Sequence, residues 1–94
     1  MGKSYTNDVF KIGLVSRMTG ISTHTLRKWE TRYGAVSPQR TPSGDRFYTT
    51  VDLERLSLIK RLVDYGNAPS EVATLSLADL RLKSDRFQEA RYNP

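Results

Sequence analysis

Ser22-Thr-His-Thr-Leu-Arg-Lys-Trp-Glu-Thr-Arg-Tyr33, followed by Gly34, reads as one short amphipathic helix. Ser22 is suited to the N-cap, where a hydroxyl accepts from an otherwise unpaired N–H of the first turn. Gly34 is suited to the C′ position, which needs positive φ. Arg32 sits in the last turn, where a cation suits the helix dipole. At about 100° per residue, Leu26, Trp29 and Tyr33 share one side, while His24, Arg27, Lys28 and Thr31 share the other. The first set can dock on a core. The second is a compact cluster of donors and positive charge, which is what a helix in a DNA major groove needs. Taken alone, the helix is equally well read as a solvated basic surface.

The rest of the chain tips that balance. Its 94 residues make one small domain with room for a modest core. There is no cysteine, which excludes disulfides and thiolate metal sites. The apolar runs are too short to span a membrane, and the N-terminal stretch lacks the apolar core of a signal peptide, so the expectation is a cytoplasmic protein without a membrane partner. The formal net charge of +5 lies entirely within residues 11–46, which hold seven basic and two acidic side chains. Residues 47–94 carry seven of each sign. A one-ended positive field is the footprint expected for a polyanionic partner.

Residues 1–9 read as a flexible, polar N-terminus. Phe10-Lys-Ile12 is a short apolar entry with strand character. Leu14, Val15 and Met18 predict a first helix, broken at Thr19-Gly20. A short helix, a tight turn and an amphipathic helix form the helix-turn-helix pattern. After it, two extended runs flank a turn built from Pro42-Ser-Gly-Asp45, which predicts a β-hairpin. Arg40 and Arg46 lie near its two arms. Alternation along the strand predicts Phe47 facing the core, with Arg46 and Tyr48 facing outward. Such a hairpin after a helix-turn-helix is a wing that grips phosphates or the minor groove; a plain connector with solvated arginines is the alternative.

Thr49-Thr-Val-Asp52 predicts a capping box opening a third helix. Leu53, Leu56, Ile59 and Val63 line one face of it, and Leu58, Leu62 and Tyr65 widen the apolar surface. Arg55, Lys60 and Arg61, balanced by Asp52, Glu54 and Asp64, read as a solvated face. Gly66 ends the helix. Pro69 opens a short fourth helix at N1. Ser76-Leu-Ala-Asp79 predicts a second capping box and a small helix with Leu77, Leu80 and Leu82. Residues 83–94 read as a polar C-terminal tail. The predicted fold is mainly α with a small β-hairpin, a winged helix-turn-helix over residues 10–82.

These residues carry a recognisable pattern. Phe10-Lys-Ile-Gly-Leu-Val-Ser-Arg-Met-Thr-Gly-Ile-Ser-Thr-His-Thr-Leu-Arg-Lys-Trp-Glu30, then Arg46-Phe-Tyr48 and Asp52-Leu-Glu-Arg-Leu56, resembles the DNA-binding domain of MerR-family transcription regulators. Trp29-Glu-Thr-Arg-Tyr-Gly34 and Ala73-Thr-Leu-Ser-Leu-Ala-Asp-Leu80 are similar to the branch that carries a C-terminal cobalamin-binding light sensor. The resemblance implies a homodimer on promoter DNA. It implies DNA contacts at Thr23, His24, Arg27, Lys28 and Arg32 on the helix, and at Arg40, Ser43, Gly44 and Arg46 in the wing. Lys28 stands where metal sensors of the family commonly carry tyrosine, which shifts that contact toward phosphate. Ala68 stands where many relatives have an N-cap serine, a difference of about 1 kcal/mol at a helix end. The chain stops where relatives continue into a dimerising helix or a sensor, so it is expected to be a fragment or a short form. No cofactor is expected: no cysteine serves soft-metal sensing, and cobalamin has no room.

Other functions are weighed on the same residues. An acidic protein antagonist that mimics DNA could bind the same basic face. A small excisionase-like factor that bends DNA shares the winged topology. An enzyme fits poorly: the single histidine, His24, lies on the exposed helix face without a metal-ligating neighbour. Asp52 and Glu54 diverge around a helix, and no phosphate-loop pattern is present.

Overall fold

A computed structural model describes residues 8–92 of the chain. In order, its elements are β1 (Val9–Lys11), α1 (Ile12–Thr19), α2 (Thr23–Tyr33), β2 (Gln39–Arg40), β3 (Arg46–Thr49), α3 (Thr50–Asp64), α4 (Pro69–Val72) and α5 (Leu77–Tyr92). Residues 8 and 9 of the expected flexible N-terminus are described, and Val9 opens a strand; the first seven residues lie outside the described region. No helix among the described residues is long and apolar enough to cross a membrane.

The turn between α1 and α2 is wired through Thr19 and Gly20. The Thr19 hydroxyl donates to the Val15 carbonyl at 2.8 Å and accepts from the Ile21 N–H at 3.2 Å. Gly20 takes φ 79° and donates its N–H to Ser16, a left-handed conformation in which a side chain is strained. Ile21, only 3% exposed, then plugs into the core. The inward face of α1 differs from expectation. Val15 is fully buried, but Leu14 and Met18 are 44% and 57% exposed. So short a helix offers one stripe to its neighbours, and Val15 with half-buried Ile12, Ser16 and Thr19 takes it.

The sheet is antiparallel with order β1-β3-β2, so the hairpin acquires a third strand from the chain's entry. Phe10 lies opposite Tyr48, and Arg40 opposite Arg46. Strand alternation is as expected, but the faces are inverted. Tyr48 is 0% exposed and the Arg46 side chain 15%, so both face inward, while Phe47 is only half-buried. A strand's two faces exchange together, and here the helices cover the face carrying Tyr48.

α3 is the central support. Its capping box forms as expected, with Thr49 and Asp52 exchanging bonds of 2.9 and 3.1 Å. Leu56, Leu58, Ile59 and Leu62 are all buried, each worth roughly 1.5–3 kcal/mol of transfer free energy. Arg55 departs from the solvated face. Its guanidinium donates to the Ala35 and Ala73 carbonyls and, at 2.6 Å, to that of Leu75. It thus ties the exit of α2 and the α4–α5 connection to α3. Arg61 donates to Ser84 at 3.1 Å, and only Lys60, paired with Asp64 at 2.8 Å, behaves as a surface charge should.

α4 forms with Pro69 at N1 and Ala68 as an N-cap that makes no side-chain bond. Ser76 caps α5 by accepting from the Asp79 N–H at 3.1 Å. That helix runs through Tyr92, so the expected polar tail is helical over most of its length. Leu80 and Ser84 are fully buried and Phe87 half-buried, a stripe at i, i+4 and i+7. Phe87 stacks on Tyr65 with ring centroids 5.2 Å apart.

Candidate nucleic-acid interface

The basic face of α2 is built from its ends inward. Ser22 accepts from the Thr25 N–H at 3.1 Å, which starts the helix at Thr23. Gly34, at φ 62°, donates to the Glu30 carbonyl and stops it. Between these ends Leu26 and Trp29 are 1% and 6% exposed and anchor the helix on the core, with Tyr33 half-buried beside them. The anchoring leaves His24, Arg27, Lys28, Thr31 and Arg32 exposed together, lining one open concavity. Thr23 is half-buried at the same end of the helix. The Thr31 hydroxyl donates to the Arg27 carbonyl at 2.9 Å, so toward a ligand it is left as an acceptor.

The wing tip is organised by Thr41. Its N–H donates to the Asp45 carbonyl at 2.9 Å, and its carbonyl accepts from the Gly44 N–H at 2.9 Å. Its hydroxyl accepts from the Asp45 N–H and lies 3.0 Å from the Ser43 hydroxyl. Ser43 and Gly44 are exposed at the turn, and Gly44 adopts φ 93°.

The two wing arginines do not stand free. Glu30 of α2 accepts from Arg46 Nε at 2.6 Å through Oε1 and from an Arg40 guanidinium nitrogen at 2.9 Å through Oε2. Burial alone would raise the Glu30 carboxyl, but the hydrogen bonds and charges of Arg46 and Arg40 outweigh it and hold it below the ordinary value of 4.5. Of the pair, Arg40 keeps 45% of its side chain exposed. Tyr48, expected on the outward face, lies in the core, and its hydroxyl has no hydrogen-bond partner among the described residues. Burial pushes its phenol up. The pairing of Glu30 with both wing arginines was not expected from sequence, although Glu30 is the one acidic side chain in α2 and lies among cations.

The family model described as "MerR HTH family regulatory protein" matches residues 10–78. The chain belongs to that family. As a MerR-family domain it is 42% identical over 66 residues to the HTH-type transcriptional repressor CarH of Myxococcus xanthus, covering 70% of this chain and 22% of that protein. It is 39% identical over 81 residues to the HTH-type transcriptional regulator MlrA of Salmonella typhimurium strain SL1344, covering 86% of this chain and 33% of the relative. The chain therefore spans a third or less of these two relatives. Among solved structures it resembles HiNmlR, a MerR family regulator lacking the sensor domain, bound to promoter DNA. That likeness has a TM-score of 0.58 at 26% identity over 85% of this chain and 55% of the other.

Proposed function

We propose that this MerR-family domain binds double-stranded DNA sequence-specifically and regulates transcription. α2 lies in the major groove and the 39–48 wing on the flanking backbone. The observation that carries this reading is the exposed face of α2, where His24, Arg27, Lys28, Thr31 and Arg32 stand together while Leu26 and Trp29 hold the helix from behind. Arg27 and Lys28 reach guanine edges or phosphates, and Thr31 accepts from base amino groups. Arg32 and Thr23 approach the backbone at the two ends of the helix. In the wing, Arg40, Ser43 and Gly44 remain accessible, whereas Tyr48 supports the core and leaves the contact set. The likeness to a MerR family regulator bound to promoter DNA supports the DNA-binding reading.

The chain acts on DNA as a homodimer in the cytoplasm, without catalysing a reaction. Titration into a fragment of its own promoter and into random duplex of equal length, at several salt concentrations, tests this. A steep salt dependence with preference for the promoter is expected, and the footprint length gives the number of copies. Absence of binding to either duplex at low salt overturns the reading and leaves an acidic protein as the ligand of the basic face.

A further inference from the structure

Arg40 and Arg46 are direct cross-strand partners in the wing. Directly opposed residues of an antiparallel pair project to the same face, and like charges there repel. Asp45, the one hairpin carboxylate, is ion-paired with neither arginine among the described residues. A residue from another element relieves the repulsion: each oxygen of the Glu30 carboxylate takes one of the two arginines, at 2.6 and 2.9 Å. One side chain of α2 thus grips both strands of the wing. The grip is deepest at Arg46, where both side chains are only 15% exposed.

We propose that Glu30 is a positioning residue that determines specificity. It locks the wing to α2 and withholds Arg46 from the phosphate backbone, so the wing contributes placement more than charge. The inference rests on the DNA-binding reading. An arginine held by a carboxylate releases no counterion from DNA, while a freed one adds a sequence-independent contact. Removing the Glu30 charge therefore strengthens the non-specific component and loosens the register between helix and wing.

The test compares the unmodified chain with Glu30→Gln on two probes: a duplex selected from a random library by the unmodified chain, and random duplex of equal length. Amide exchange is read without DNA at Thr41 and Gly44 in the wing, with the amide of Ile59, buried in the middle of α3, as the folding control. The expected result is wing exchange faster by about tenfold or more with the control unchanged. The affinity ratio of selected to random duplex should fall by about tenfold, and the salt slope should steepen by about 0.9, one phosphate contact. Equal tightening on both duplexes with unchanged wing exchange overturns the proposal and makes Glu30 only a charge that repels DNA. If the unmodified chain binds neither duplex, the DNA reading fails, and the proposal with it.

Discussion

Two side chains expected at the interface separate contact from support. Arg27 is exposed on the outward face of α2, and its removal should cost about 1–3 kcal/mol on the selected duplex if it pairs with guanine. Arg27→Ala measured by fluorescence anisotropy on selected and random duplexes decides the role, because equal losses on both make it a phosphate contact. Tyr48 behaves in the opposite way. Its hydroxyl is buried without a partner among the described residues, a state that costs free energy. Tyr48→Phe should leave DNA affinity unchanged and either preserve stability or raise it by about 1 kcal/mol, read from urea midpoints. Alternation correctly grouped Tyr48 with Arg46. It could not say which face the helices cover, since Arg46 looks like a surface residue until Glu30 is placed against it.

Among the elements, the connections carry what the amphipathic patterns do not. Arg55 holds three carbonyls from two separate connections, and all three bonds are lost once it is gone. Arg55→Ala should therefore destabilise the chain by about 2 kcal/mol or more, well beyond a solvated surface charge. Chemical denaturation of that variant beside Lys60→Ala, whose Asp64 partner is 60% exposed, measures the contrast. Both caps of α2 and the capping box of α3 were legible, because each depends on residues no more than five apart in the chain. The length of α5 was not. Its buried stripe passes through Ser84, a residue whose polarity hides the period that Leu80 and Phe87 continue.

For the molecule as a whole, one consequence of the Glu30 cluster is a pH dependence. The carboxyl is held below 4.5 by Arg46 and Arg40, with Tyr48 close by. A carboxylate depressed in the folded state stabilises it above the unfolded value, and that contribution is lost as pH falls through the folded value. The unfolding midpoint in urea should drop as pH falls below about 5, and should drop less for Glu30→Gln. Glu54 is shifted the same way by its hydrogen bonds to Arg81, but that pair is exposed and screened, so it leaves only a shallow residual slope. Composition, helix caps, the helix-turn-helix spacing and the basic face of α2 were all readable from residues alone, since each is set by neighbours within a few positions or by charge that must stay in water. The inward turn of Arg46 and Tyr48, the Arg55 clasp and the continuation of α5 were decided by tertiary structure. Arg46, Arg55 and Ser84 each bond a partner 16 or more residues away, Tyr48 turns inward with Arg46 on the same strand face, and no local pattern announces such partners.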